Sequence, residues 1–319
     1  MNTKTLYCIL ILLLGCLLFS SLSLAAQGPA RPIIDMHQHA RFKVWLQDNG
    51  EPWPRLCFPK PCESLPAMAK EGEDILRITL EMMEKHNIVK AVVSDENMEE
   101  VWRWQASAPE KFLAGGGTFN PYETDTLELR RAFEAGKLQV MGEVGAQYAG
   151  VAPNAPILEP YFAMAEEFDV PVLIHCEGIG GGGHNFNLEA GHPLLLQEVL
   201  YHHPNLRLYV ENAGWPFLEE ITALLYRFPN VYADLSTITW IIPEQAFYTY
   251  LKGLVDNGLG KRLMYGSDQM EWPEAIGIGI ERIRAADFLT EEQKRDIFYN
   301  NAARFLRLSK EEMTRHRGG

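Results

Sequence analysis

From Pro32 onward the chain alternates short apolar runs with longer segments whose apolar residues recur every three or four positions. The short runs are PIIDMH (32–37), IVKAVVS (88–94), FLAGGGT (112–118), LQVMGEV (138–144), VPVLIH (170–175), LRLYVEN (206–212), VYADLS (231–236) and RLMYGSD (262–268). Too short for helices and mostly rich in branched residues, they predict strands. The longer segments, among them DILRITLEMMEKH, Leu127–Ala135, PLLLQEVLYHH, ITALLYRF and EAIGIGIERIRAAD, predict amphipathic helices. A strand-then-helix unit repeated eight times, with no Pro/Ser-rich divider, predicts an α/β fold: one (β/α)8 TIM barrel domain over 26–319. One stretch breaks the pattern. Residues 40–71, rich in Pro and holding Trp45 and Trp53, form a long insertion after the first strand, expected as a lid over the active face.

The first residues carry a different signal. One lysine, Lys4, precedes YCILILLLGCLLFSSLSL, and small residues follow to Gly28. A short basic start, an apolar core and Ser23-Leu24-Ala25 before Gln27 predict a cleaved signal peptide over 1–25, and hence a periplasmic or secreted protein with no membrane attachment after cleavage. Leu13-Leu14-Gly15-Cys16 also resembles a lipoprotein cleavage box, ranked second because apolar residues continue beyond Cys16. The formal net charge of −13, without a basic run, argues against nucleic acid and anionic membranes as partners. Outside the cytoplasm, Cys57 and Cys62 in CFPKPC either close a small disulfide loop or stay as thiols. Cys176 reads as a small buried residue.

The strands share a feature at their carboxyl ends. The first ends in His37-Gln38-His39, the fourth in Glu143, the fifth in His175, the sixth in Glu211-Asn212 and the eighth in Asp268. A barrel brings these ends to one face, where its active site is built. Side chains repeat every second residue along a strand, so His37 and His39 point the same way. Two imidazoles, a third histidine and a carboxylate make a Zn²⁺ site with a position left open for water. Any one strand-end histidine is more often structural, but five such ends at once outweigh that reading. The same alternation points Glu211 and Asn212 apart, with Asn212 as the site-facing residue. The glycine-rich GIGGGGHNFN (178–187) lacks the Lys-Ser/Thr of a phosphate loop and reads as a loop beside His175, with Glu177, His184, Gln147 and Tyr148 as candidate substrate contacts. His192-Pro193 reads as a helix start, His202-His203 as a solvated helix end and Trp215 as packing.

IIDMHQH, GEVGAQY, PVLIHCEG, NAGWP, MYGSDQM and IFYNNAARFLRL together resemble the amidohydrolase superfamily, in the branch that includes aminocarboxymuconate-semialdehyde decarboxylase. The resemblance runs from about Pro32 to Leu308. It implies a metal-dependent hydrolase with His37, His39, His175 and Asp268 as ligands, Asp268 also moving protons, and Glu143 on or beside the metal. It implies Zn²⁺ or another divalent ion and a small-molecule substrate, and it is compatible with a homodimer. Relatives carry histidine where this chain has Asn212. Asparagine does not titrate, which counts against decarboxylation and favours one ion over two. Asn212 is instead expected to hold the carbonyl or its oxyanion during attack on an amide, ester or lactone. A decarboxylase on the same barrel, and a silent binding protein with a partly lost site, are the alternatives.

Overall fold

The computed structural model describes residues 31–41, 72–180 and 185–318. The signal segment 1–25 with Cys16, nearly all of the 40–71 insertion with Cys57, Cys62, Trp45 and Trp53, and His184 lie outside them. Within the unit Pro32–Arg317, eight parallel strands follow one another in sequence order. They are β1 (Ile33–His39), β2 (Ile88–Ser94), β3 (Phe112–Thr118), β4 (Val140–Val144), β5 (Val172–Ile174), β6 (Leu208–Val210), β7 (Val231–Asp234) and β8 (Leu263–Met264). Backbone bonds join the two edges: Met36 N–H donates to Tyr265 O at 2.9 Å and Asp268 N–H to His37 O at 2.8 Å. The fold is a (β/α)8 barrel.

Helices α1 (Gly72–Lys85), α2 (Met98–Ser107), α3 (Thr126–Glu134), α4 (Glu159–Glu167), α5 (Leu196–His202), α6 (Leu218–Arg227), α7 (Glu244–Asp256) and α8 (Ala275–Ala285) wrap the sheet. Each buries an apolar stripe, such as Ile75, Leu76, Thr79 and Met83 on α1. Asn97 and Asp125 cap α2 and α3 through side-chain oxygens that accept backbone N–H groups. A second, smaller cluster takes Ile34, Val92, Val140, Leu173, Tyr209 and Met264 from six strands, with Ala302 and Phe305 beneath them. Residues from so many strands meet only in the barrel interior, so this layer is a packed floor under the carboxyl-end face.

Two strands depart from simple alternation. Between Asp35 and Gln38, three steps of β1 oppose two of β2, and between Met141 and Val144 three steps of β4 oppose two of β5. Such bulges re-aim side chains. Here Ile34 and Val140 fill the floor, while His37, His39 and Glu143 higher on the same strands turn into the site.

Candidate metal centre

His37, His39, Glu143, His175 and Asp268 are all at most 5% exposed, and the fold brings them together at the carboxyl end of the barrel. His37 Nε2 lies 3.4 Å from Glu143 Oε2 and 3.8 Å from Asp268 Oδ1. His39 Nε2 lies 3.3 Å from Glu143 Oε2 and 2.9 Å from Asp268 Oδ1. A tetrahedral ion with ligand atoms about 2.1 Å away has edges of about 3.4 Å between them, close to these separations. His37 Nε2 and Asp268 Oδ1 have no hydrogen-bond partner among the described residues. Buried donors left unpartnered around a common point are what a divalent ion satisfies. The residues present fit a metal.

The lone pairs are aimed by neighbours. Ser236 Oγ–H donates to Asp234 Oδ1, so His37 Nδ1–H, 3.3 Å away, donates to Ser236 Oγ and leaves Nε2 free. Gln269 fixes β1 from across the seam: its Oε1 accepts His39 N–H at 3.1 Å and its Nε2 donates to His39 O at 2.8 Å. Asp35 accepts from Gln38 Nε2 and from the Ser267 and His37 N–H groups, tying β1 to the turn that presents Asp268.

Electrostatics follow from burial and crowding. Burial disfavours a charged His37, but Asp268, Glu143 and Asp234 around it outweigh that and raise it to about 10. Burial also opposes ionisation of Glu143, yet the His37 ring nitrogen beside it and the nearby histidine charges bring it down to about 2. Burial pushes Glu177 up to about 7 and Asp234 up to about 6, against the pull of His175 and His37 respectively. Glu211 lies well above the usual carboxylate range because it is buried and faces Glu143, Asp268 and Glu177. Without metal, protons hold the cluster together.

The sixth strand departs from expectation. β6 ends at Val210, and Glu211–Gly214 is a tight turn in which Asn212 and Ala213 have φ of 52° and 48°. Strand alternation therefore does not reach Glu211 and Asn212, and the two side chains meet instead of pointing apart. Asn212 Nδ2 donates to Glu211 Oε1 at 3.1 Å. Its Oδ1 accepts from Thr237 Oγ1 at 2.8 Å and Ile238 N–H at 3.2 Å. Both ends of the amide are occupied within the protein, so the geometry gives Asn212 the task of tying Glu211 to the turn after β7 rather than holding an oxyanion. Glu211, not Asn212, puts a donor atom among His37, Asp268, Glu143 and His175.

His175 stands slightly apart from the other ligands. It groups with Glu143 and Glu211, whereas His37 and His39 group with Glu143. Gln147 donates through Nε2 to Glu177 O and Asn187 O, which fixes its Oε1 as the acceptor for His175 Nδ1 at 2.9 Å. The Tyr148 ring packs against His175, its centroid 4.7 Å away. Elsewhere, Cys176 is fully buried with Sγ on Gly191 O, and Trp215 packs partly buried against the core. Pro193 opens a tight turn just before α5. His203 is not solvated: it is 6% exposed, with its ring nitrogens 3.1 Å from Glu159 and Glu166.

The sequence profile described as amidohydrolase matches residues 34–308. The chain belongs to the amidohydrolase family. Among curated proteins, protein fluG of Emericella nidulans is 22% identical over 156 residues, 44% of this chain. The match spans only 18% of that much longer protein. Among solved structures, a probable 2-pyrone-4,6-dicarboxylic acid hydrolase from Acinetobacter baumannii matches with a TM-score of 0.58 at 13% identity, covering 86% of this chain and 99% of that one. The 2,6-dihydroxybenzoate decarboxylase from Rhizobium matches with a TM-score of 0.56 at 14% identity, covering 88% and 99%. At these identities the likeness is one of fold, and amidohydrolase barrels of this shape carry both kinds of chemistry.

Proposed function

We propose that this amidohydrolase is a metal-dependent hydrolase acting on an amide, ester or lactone of a small molecule. The observation that carries the reading is the donor cage of His37 Nε2, His39 Nε2, Glu143 Oε2 and Asp268 Oδ1, with separations of 2.9 to 3.8 Å. Two imidazoles and two carboxylates suit Zn²⁺, and a divalent ion held in that cage would supply the Lewis acidity that acidifies water and polarises a carbonyl. Asp268 moves the proton. Its carboxylate takes a proton from water as the oxygen attacks the carbonyl carbon, then returns it to the leaving nitrogen or oxygen as that bond breaks. His37 keeps its Nε2 lone pair toward the cage because Ser236 takes its Nδ1–H, and Gln269 holds the β1 backbone at His39.

One feature favours hydrolysis over loss of CO₂. Asn212 brings no titratable proton to the turn after β6, and its amide is already engaged. Export remains part of the reading, supported by the 1–25 segment alone.

The test is a panel of amides, esters and lactones beside carboxylated phenols, offered to metal-reconstituted protein and to Asp268→Asn. Hydrolysis abolished by Asp268→Asn supports the proposal. CO₂ release from the phenols, lost in His175→Ala, overturns it in favour of a decarboxylase. Metal content below about half an equivalent after reconstitution would mark a silent binding protein.

A further inference from the structure

Three aromatic rings stand on the carboxyl-end face with no part in the metal cage or the core. Phe119 follows β3, Tyr148 lies in the turn after β4, and Phe186 lies in the loop beyond β5. Each is half-buried, and none belongs to either hydrophobic cluster of the barrel. The rings form a row: the centroids of Phe119 and Tyr148 are 5.6 Å apart, and those of Tyr148 and Phe186 are 5.3 Å apart. Both ends of the row reach metal-facing histidines. The Phe119 centroid lies 6.4 Å from that of His39, and those of Tyr148 and Phe186 lie 4.7 and 5.8 Å from that of His175.

The row is preformed. A Cβ at Gly145 would come within 2.6 Å of the Phe119 ring, and one at Gly180 would come closer still to the Phe186 ring, so both rings rest on bare backbone. Side chains held this way have little freedom left to lose when a ligand arrives. Part-exposed aromatic surface gains most from another ring, because tilted or offset pairs with centroids about 4.5–7 Å apart add to plain apolar burial. A polyhydroxylated group gains little here, since Phe119 and Phe186 offer no hydrogen bond and Tyr148 offers a single hydroxyl.

We propose that Phe119, Tyr148 and Phe186 seat an aromatic ring of the substrate beside the metal cage, which makes that substrate an aryl-bearing amide, ester or lactone rather than an alkyl or sugar one. The bond cleaved rests on the hydrolase reading above, whereas the seat is tested by binding alone.

Protein reconstituted with Zn²⁺ is titrated calorimetrically with acetophenone and with cyclohexyl methyl ketone, which share a carbonyl, have similar bulk and carry no leaving group. Acetophenone is expected to bind about 10-fold more tightly. Phe119→Leu and Phe186→Leu keep apolar bulk, and each is expected to cut acetophenone affinity about 5-fold. Affinity for the cyclohexyl ketone should stay within about twofold, and metal content should not change. Tyr148 is left in place because its ring also packs on His175. If one variant fails to fold, the other carries the test. Equal affinity for the two ketones, no binding of either, or acetophenone affinity unmoved in a folded variant overturns the seat. Hydrolysis of alkyl esters or sugar lactones in preference to aryl ones also overturns it and leaves the hydrolase standing. Acetophenone binding with the expected losses, but no hydrolysis of any amide, ester or lactone, upholds the seat and overturns the hydrolase.

Discussion

The Nδ1 of His175 lies 2.9 Å from the Oε1 of Gln147, and Gln147 cannot turn its amide over without giving up two carbonyl partners, Glu177 O and Asn187 O. The tautomer of one metal-facing histidine is therefore set from a turn after a different strand. Gln147→Leu removes the acceptor while keeping bulk, and is expected to weaken metal binding by about 10- to 100-fold. Gln147→Glu keeps an acceptor for Nδ1 but turns an oxygen toward the Glu177 and Asn187 carbonyls, and should recover only part of it. Competition with a fluorescent chelator measures both, and equal affinity in wild type and Gln147→Leu would refute the coupling.

The corresponding link on β1 runs from His37 through Ser236 to Asp234. Ser236→Ala leaves His37 Nδ1–H without its acceptor, at a cost of about 1–3 kcal/mol for a buried unsatisfied donor. Metal affinity should fall, and Ser236→Thr should rescue it. Recovery by alanine as complete as by threonine would show that the hydroxyl does not matter.

Asn212→His supplies the histidine that the family resemblance leads one to expect at this turn, but it removes the acceptor for Thr237 Oγ1 and Ile238 N–H. The variant should be destabilised by about 1–3 kcal/mol in urea unfolding and should gain no new ionisation in its pH–rate profile. A new titrating limb at unchanged stability would mean that the brace is dispensable.

The metal-free protein should lose stability as pH rises from about 5 to 8. His37, raised to about 10, stabilises the fold fully below the ordinary histidine value near 6.5, and that contribution fades as pH climbs toward 10. Asp35 and Asp234, near 6, and Glu177, near 7, are protonated more readily folded than unfolded, so their ionisation acts in the same direction. Glu143, lowered to about 2, acts oppositely, but only below about pH 4.5. Metal displaces these protons, so its stabilisation should widen with pH. Thermal melts with and without Zn²⁺ at pH 5.5 and 8 should show the larger gap at pH 8, and a gap that narrows contradicts the assignment.

Close backbone approach makes a fourth site sensitive. A Cβ at Gly117 would come within 1.9 Å of the Glu143 carbonyl oxygen. No flexible side chain is there to yield, so Gly117→Ala should cost about 3 kcal/mol or more and lower metal content by displacing Glu143. Normal stability and metal loading would show that β3 can shift without disturbing the centre.

Most of the barrel was legible because periodicity encodes it: the predicted runs 88–94 and 112–118 match β2 and β3 at both ends. The chemistry at strand ends was legible for His37, His39, Glu143, His175 and Asp268 as residues, since polar groups stand out after apolar runs. What failed was direction. Alternation predicts opposite directions for Glu211 and Asn212, but β6 stops at Val210, and the tight turn that follows, with Asn212 at positive φ, brings the two side chains together. Asp234 sat in plain view at the end of VYADLS, but neither it nor Ser236 is a metal ligand by spacing. Their role exists only through His37, 199 residues from Ser236 in sequence.

The seam between β1 and β8 carries a further consequence. His37 and His39 come from the first strand and Asp268 from just beyond the last, and backbone bonds from Met36, Ser267 and Asp268 lock the two ends together. A chain interrupted anywhere before Asp268 has histidines but no cage. Tight metal capture therefore waits on closure of the barrel, when the turn after the last strand has found the first strand.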